Sequence, residues 1–553
     1  MRVTVTSRPT RSTSTGAWAD GDRTPLNHNE AFKQDDDALN VRARIVDVYA
    51  RQGFDSIEPD DLSGRFRWMG LYTQRKQGLD GTHTGEDDLG DNRFMMRIRS
   101  DGGQLTTHQL RTIAGISTDF AQDTADISDR QNIQLHHVRI EDVPEIWARL
   151  ESVGLSTTEA CGDCPRTMIA SPVAGIEKGE IIDGTPAMLE IKRRFIGNPQ
   201  FSNLPRKYKT AISGSPTHDI THEINDISFV GVVHPEHGPG FDVWVGGGLS
   251  VKPIFAQRLG VWVPVEEVPD VWEGVTSIFR DHGYRRLRNK ARLKFLMADW
   301  GPQKFRQVLE QDYLGRRLSD GPEATVATGT RRDHVGIHEQ KDGKVWVGAA
   351  PIAGRTSGTR LTRLADLAEA TGSRRIRFTP QQKVLVLDVP AAHARELAED
   401  LRAIDLEVFP SEWRRNVLAC TGLEFCKLAL TDTKKRARWT VEELEKRLTI
   451  DVPFSIHFNG CPNACARSQV ADVGLKGMLE KKEDGSHQEV FQVLLGGSLA
   501  EDTALARKAR ALKVAGDDLP DYIERLARTY LRQRGDGESF ALWVRRADED
   551  DIR

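Results

Sequence analysis

Four cysteines stand in two close pairs. Cys420 and Cys426 lie in Ala419-Cys420-Thr421-Gly422-Leu423-Glu424-Phe425-Cys426, and Cys461 and Cys465 in Asn459-Gly460-Cys461-Pro462-Asn463-Ala464-Cys465. Thiolates at such spacings can wrap a soft metal centre. Structural zinc sites use tighter Cys-x2-Cys knuckles, whereas these are Cys-x5-Cys and Cys-x3-Cys. An iron–sulfur cluster, a zinc ion and four unrelated buried cysteines are the readings open to residue chemistry alone. Pro462 suits a first helical turn, which would aim free N–H groups at Cys461 and favour its thiolate.

The elements that must carry these loops read as strands and helices in alternation. A helical pattern covers Val41–Gln52, Phe94–Arg99 alternates as a strand, Gln109 to about Gln122 is helical and Asn132–Arg139 is a strand again. This unit returns 251 residues later, placing Gly103 on Gly354, Leu110 on Leu361, Ala114 on Ala365, Ser128 on Thr379, Gln131 on Gln382 and Ile133 on Val384. With small insertions, Phe241–Leu249 echoes Phe491–Leu499, Ala160-Cys161 echoes Ala419-Cys420, and Leu204-Pro205 echoes Val452-Pro453. The chain is therefore two copies of a half, and two similar halves packed together create a cleft suited to a large cofactor.

With 553 residues the chain holds two to four domains. A hydrophobic content of 38%, a charged content of 29% and a net charge of -4 give no global reason to invoke nucleic acid or an anionic membrane. No apolar run reaches membrane-spanning length, and the Thr/Ser/Arg-rich start lacks a signal core. Residues 1 to about 40 read as an extended polar arm. Six clustered cysteines suit ligands in a reducing cytoplasm rather than a disulfide scaffold.

The flanks of the four cysteines resemble the signature of the sulfite and nitrite reductases that use sirohaem. The resemblance covers nearly the whole chain. It implies an α+β fold, internally duplicated, with two ferredoxin-like repeat units alternating with two larger mixed α/β sirohaem/4Fe-4S modules around a pseudo-two-fold axis. The boundaries expected are an arm and helix over 1–60, the first ferredoxin-like unit over 61–155, the first sirohaem/substrate module and linker over 156–330, the second unit over 331–410 and the 4Fe-4S/sirohaem module over 411–553. By the same resemblance Cys420, Cys426, Cys461 and Cys465 hold a [4Fe–4S] cluster, with Cys465 also ligating the sirohaem iron.

An oxyanion approaching an electron-rich macrocycle needs cations, each worth about 4 kcal/mol at ~4 Å with an effective dielectric near ~20. Arg97 sits among apolar residues on a strand, Arg166 follows Cys164-Pro165, and Lys207 and Lys209 alternate across Tyr208 and so share one strand face. These four match the family's substrate-binding positions. Arg130 and Gln134, in Ser128–Gln134, are similar to the sirohaem-contacting strand entry, with Thr379 and Gln382 as their second-half counterparts; an Asp129–Arg130 turn ion pair is the alternative. The basic run Tyr284–Phe295 reads either as a solvated helix face or as an anion-facing helix. His136 and His137 read as strand histidines, and Gly246-Gly247-Gly248 as close backbone packing rather than a phosphate loop.

No nucleotide or flavin domain is evident, so electrons come from another protein, and the family implies ferredoxin. Lys209 favours sulfite, because the nitrite branch carries Asn there. The expected activity is thus the assimilatory six-electron reduction of sulfite to sulfide by a cytoplasmic monomer, without nucleic acid or membrane partners. The alternatives are a ferredoxin-dependent nitrite reductase, the haem subunit of an NADPH-driven complex, or a cluster-carrying scaffold that would not need the cations. Tyr72 and Cys161 resemble a pair that a thioether joins in the actinobacterial branch.

Overall fold

The computed structural model describes residues 25–83, 90–325, 333–500 and 503–553. In the first repeat, β1 (Leu71–Arg75) and β2 (Gly90–Ile98) are followed by β3 (Gln104–Thr106), helix α1 (Thr107–Phe120), β4 (Ala125–Ile127) and β5 (Ile133–Val138). Thr106 starts α1 with a capping box: its side chain accepts from the Gln109 N–H while the Gln109 amide accepts from the Thr106 N–H. The first large module carries β6 (Ile169–Ala170), α2 (Thr185–Phe195), β7 (Thr210–Ser213), β8 (Ile227–His234), β9 (Gly238–Val245), β10 (Gln257–Val263) and β11 (Ser319–Asp320).

The second repeat supplies β12 (Gly336–Glu339), β13 (Val345–Ala349), β14 (Arg355–Thr356), α3 (Gly358–Ala370), β15 (Arg375–Phe378) and β16 (Val384–Val389). The second module supplies β17 (Val417–Ala419), α4 (Lys434–Arg447), β18 (Ile456–Asn459), β19 (Val473–Lys481), β20 (His487–Leu495) and β21 (Arg507–Ala515). The repeats do not close on themselves. One sheet runs β1-β2-β5-β4-β14 and the other β12-β13-β16-β15-β3, so each ends on a strand from the other half. Their hydrophobic interiors accordingly merge into one core, while each large module keeps its own.

The duplication extends to strained backbone. Gln131 and Gln382 both have φ of 59°, and His137 and Asp388 have 62° and 59°. Ser128 caps the turn before β5 by accepting from the N–H groups of Arg130 and Asn132, and Thr379 does the same for Gln381 and Lys383.

Strand register corrects one expected match. Ala170 pairs with Ile212 and Ala419 with Phe458 in equivalent parallel ladders, so the counterpart of Ala419-Cys420 is Ala170-Ser171, not Ala160-Cys161. The same register sets Ser215 against Cys461, and the unbroken loops between set Glu177 against Cys426 and Asp219 against Cys465. Oxygen-bearing side chains thus stand in place of all four sulfurs in the first half.

Two other expectations change. The polar stretch before residue 40 is not extended throughout: Asn27 caps a helix over His28–Asp35, whose Lys33 is buried against Glu30 and Asp163. The basic run Tyr284–Phe295 is a loop until a helix begins at Leu293. Three of its charges are matched by acids folded against them: Arg285 by Glu30, Arg288 by Asp163 and Arg292 by Asp226. The expected linker near 315–335 falls partly outside the described residues. Gly246, Gly247 and Gly248 are packing positions; an added Cβ would come within 2.5 Å of Met297, 2.4 Å of the Glu223 carbonyl and 2.9 Å of Arg292.

Candidate functional site

β17, β18 and β19 are adjacent and parallel, and the loops leaving the carboxyl ends of β17 and β18 carry Cys420 and Cys461. Hydrogen bonds fix these loops to one another. The Cys420 N–H donates to the Phe458 carbonyl at 3.1 Å, the Leu430 N–H to Gly460 at 2.8 Å, and the Gly460 N–H to the Cys420 sulfur at 3.4 Å. Gly422 has φ of 71°, and a Cβ there would lie 2.2 Å from the Thr433 hydroxyl, which itself donates to the Cys420 carbonyl. Pro462 lies in a turn and begins no helix; the N–H and the side chain of Asn463 reach Cys461 instead.

The four thiols influence one another. Burial pushes Cys420 and Cys426 up to about 12, and the neighbouring cysteines add to that. Thiols held in this way ionise only when a cation lies among them. A tetrahedral zinc ion with bonds of ~2.3 Å would draw sulfurs to about 3.8 Å from each other. Among the described residues only His218, His222 and Glu223 bring three such ligand atoms within 4.8 Å, so the cysteines stand wider than a zinc cage. That spread, with N–H groups aimed at the sulfurs, fits an iron–sulfur cluster.

Opposite these loops lie the first-half cations. Arg97 on β2 pairs across the ladder with Gln134 on β5 and places Nη1 2.8 Å from the Cys161 sulfur. The Gln134 amide sits between the Arg97 guanidinium at 2.5 Å and the Thr421 hydroxyl at 3.2 Å, so its oxygen faces Arg97 and its NH2 faces Thr421. Through Thr421 the substrate-side strand touches the residue after Cys420. Arg166 Nε donates to the Ala160 carbonyl; burial lowers its pKa, yet the nearby Cys161 and Tyr72 raise it overall. Tyr72 is pushed up to about 12 by burial, with Cys161 adding to the rise and Arg166 and Arg97 opposing it. The predicted pair and two predicted cations thus form one cluster.

Lys207 and Lys209 flank Tyr208, whose ring is buried against Trp272 and Phe279. Neither ammonium has an ion-pair partner among the described residues. Burial lowers both, Lys207 well below the usual amine range and Lys209 to about 7; Lys207 also feels Lys209 and Arg292, and Lys209 feels Arg130. The Cys465 sulfur faces Lys207 closely enough to favour its charge. Arg130 donates to Asn225, to the Thr167 carbonyl at 2.6 Å and to the Thr210 carbonyl at 3.3 Å, leaving a buried Nε without a partner. Asp129 forms its salt bridge with Arg467, at 3.9 Å, and not with Arg130.

Thr379 and Gln382 do not face the cleft with free polar atoms. Thr379 caps its own turn, and the Gln382 amide donates to the Ala419 carbonyl at 2.9 Å and accepts from the Ala419 N–H at 3.2 Å. Gln382 therefore positions the Cys420 loop, as Gln131 holds Ala170. His136 is a buried strand histidine whose Nε2 lies 3.0 Å from Asp126 while its Nδ1 has no hydrogen-bond partner.

Sequence reasoning missed three further residues. Asp226 receives the Lys209 N–H at 2.8 Å and the Arg292 guanidinium at 2.8 Å. Arg467, buried, adds another cation; its Nε makes no hydrogen bond and faces Asp129 at 3.9 Å. Arg75, 1% exposed, directs Nη1 at the Lys427 and Ala429 carbonyls and so binds the β1–β2 hairpin to the loop of Cys426. Only the basic run containing Arg292 carried a signal in the sequence. Arg97, Arg130, Arg166, Lys207, Lys209, Arg292 and Arg467 against few acids leave a positive cleft, which suits a polycarboxylate macrocycle and an oxyanion.

Comparison with known proteins places this architecture. Residues 161–318 and 412–553 match the nitrite and sulphite reductase 4Fe-4S domain, and 88–153 and 338–404 match the nitrite/sulfite reductase ferredoxin-like half domain. The chain is 58% identical to sulfite reductase [ferredoxin] 1 of Mycolicibacterium paratuberculosis, over 99% of this chain and 100% of that one. It is 34% identical to the ferredoxin–nitrite reductase of Synechococcus elongatus, over 91% of this chain and 96% of that one. The solved structure of the Mycobacterium tuberculosis NirA protein superposes with a TM-score of 0.94 at 57% identity, covering 97% of this chain and 99% of that one.

Proposed function

The chain belongs to the nitrite and sulphite reductase family, and from that premise we propose that it is a ferredoxin-dependent assimilatory sulfite reductase. The observation that carries this reading is the pair of ammonium groups, Lys207 and Lys209, which among the described residues form no ion pair; Lys207 lies near Cys465, and Asp129 and Asp226 act on Lys209 only at longer range. The family's [4Fe–4S] cluster and sirohaem supply single electrons to a bound oxyanion. Cys420, Cys426, Cys461 and Cys465 would hold the cluster, and Cys465 would also reach the sirohaem iron.

This chain's own residues bind and orient the anion. Arg97 and Arg166 offer fixed guanidinium charges, while Lys207 and Lys209 carry titratable protons within the same cleft. Burial has already stripped water from these cations, so an arriving oxyanion meets charge that needs no reorganisation. Arg130, with a spare buried N–H, and Arg467, whose Nε makes no hydrogen bond and faces Asp129 at 3.9 Å, are placed to meet macrocycle carboxylates. Cys161, held by Arg97, lies beside Tyr72 in a position suited to a thioether. The enzyme works as a cytoplasmic monomer; among the described residues no helix is long and apolar enough to cross a membrane.

An anaerobic assay of the purified protein with reduced ferredoxin, comparing sulfite and nitrite, tests the reading. Sulfide from sulfite is expected, with sulfite preferred. Turnover of nitrite alone would assign the nitrite branch, and a need for NADPH and a second subunit would assign the haem-subunit alternative.

A further inference from the structure

The pseudo-two-fold relation breaks at one pair of sites outside the cleft. In the cross-strand pair Asp126–Arg355, linking β4 and β14, the carboxylate is surrounded: Arg355 at 2.8 Å, Lys434 at 3.4 Å and His136 at 3.0 Å. Glu424 then satisfies the other side of Arg355 at 2.8 Å. The equivalent pair, linking β15 and β3, is Arg377–Gln104. Charge is inverted at one position and lost at the other. The register that sets Ala170 against Ala419 also sets Thr185 against Lys434 and Gly175 against Glu424, so the counterparts of the remaining charged groups are small and uncharged.

The space these long side chains fill in one half is a cavity of about 440 Å³ in the other, lined by Gln104, Asp183, Thr185, Lys341, Arg375 and Arg377. Arg377 is only 6% exposed, its Nε is sealed from solvent without a partner, and no described residue gives its side chain a hydrogen bond or ion pair. Among the other charges, Asp342 also lines the cavity and pairs with Lys344 at 3.7 Å, and Asp183 and Asp388 act on Arg377 at longer range. Arg375 binds Asp388 at 2.5 Å, Lys341 binds Glu180 at 2.6 Å, and Asp183 accepts from the Thr185 N–H at 2.8 Å. A buried guanidinium without an acceptor is costly, and native proteins resolve such a charge with a counter-ion. The start of α2 lies at the same wall and adds a favourable dipole end.

We propose that this cavity binds a small oxyanion, a phosphate or carboxylate group, with Arg377 as its principal partner. The site shares no residue with the cation-lined cleft and is independent of the reaction assigned there. Arg377 does for the anion what Arg355 does for Asp126 in the other half, with a free ligand in place of the built-in carboxylate. A planar fork recognises both phosphate and carboxylate oxygens, and the paired Arg375 and Lys341 raise the local potential.

Isothermal titration of the cofactor-loaded enzyme with inorganic phosphate, and separately with acetate, tests this. At least one anion is expected to bind saturably, and Arg377→Gln should weaken that binding roughly tenfold or more, the usual effect of losing a charge-assisted pair. Arg377→Lys, which keeps charge but not the fork, should fall between the two. Sulfite turnover and both cofactor spectra should be unchanged in Arg377→Gln. Because anions also enter the cleft, Lys209→Ala is titrated in parallel and should retain the Arg377-dependent binding. The proposal is overturned if neither anion binds saturably, if Arg377→Gln binds as tightly as the parent, or if Lys209→Ala abolishes the binding.

Discussion

The Gln382 amide closes two hydrogen bonds on Ala419, at 2.9 and 3.2 Å, immediately before Cys420. A side chain from β16's turn thereby sets where the cysteine loop begins. Replacing it with leucine would leave the buried N–H and C=O of Ala419 unanswered, a cost of about 1–3 kcal/mol. We expect Gln382→Leu to be purified with less iron per chain and a weaker cluster absorbance, while Gln382→Glu, which keeps only the acceptor, should be intermediate. Iron content equal to the parent's would show that the loop is held by other contacts.

Lys209→Ala removes one cation from the cleft without removing an iron ligand. Sulfite kcat/KM should fall about 100-fold or more, on the scale of a lost electrostatic partner, with sirohaem and iron content kept. Loss of sirohaem from this variant would place Lys209 on the macrocycle instead of the substrate.

Cys465→Ser reports on the junction between the two centres. Because one sulfur is proposed to serve both, the optical and EPR signatures of cluster and sirohaem should change together. A variant with a normal sirohaem spectrum and an altered cluster would separate the roles.

Tyr72 and Cys161 are brought together beside Arg97 and Arg166. Mass spectrometry of a digest should find their two peptides joined and lighter by a pair of hydrogens, and Tyr72→Phe should release them. Separate, unmodified peptides from the parent would remove the thioether.

Glu159, two residues before Cys161, provides a pH-dependent handle. Burial raises its carboxyl from 4.5 to about 7, although the Gly197 N–H donates to it at 2.7 Å. With the folded pKa above the unfolded one, the native state holds the extra proton between these values. Stability therefore falls as pH rises from about 4.5 to 7 and levels off above. Glu159→Gln should melt higher than the parent at pH 8, by about 1–3 kcal/mol, and the difference should vanish near pH 4.5. Parallel melting curves across that range would contradict the assignment.

The sequence made the repeat and the cysteine loops legible because both are written locally. Turn residues such as Ser128 and Thr379, and alternating apolar positions, recur at fixed distances. Fold-level pairing was less accessible. The match of Ala160-Cys161 to Ala419-Cys420 looked sound as letters, and only the ladder beside Ile212 showed that Ala170 holds the place. The side-chain partners of Arg288 and Arg292 are hidden for a similar reason: their acids, Asp163 and Asp226, are distant in sequence, and a basic run looks the same whether solvated or neutralised. Gln382 is expected at the cofactor as a second-half counterpart of Arg130 and Gln134, and its amide bonds the Ala419 backbone, a pairing distant in sequence.

The exchange of β3 and β14 between the two sheets has a consequence during biosynthesis. The first sheet waits for a strand that leaves the ribosome long after β4, and the second borrows one made long before β15, so neither half can finish folding as an independent unit. An exposed edge must persist in the nascent chain until the later strand arrives, which makes this protein a natural client for chaperones. Two fragments cut between the halves should become soluble only when produced together, and the loops that receive iron can take their final shape only after that joining.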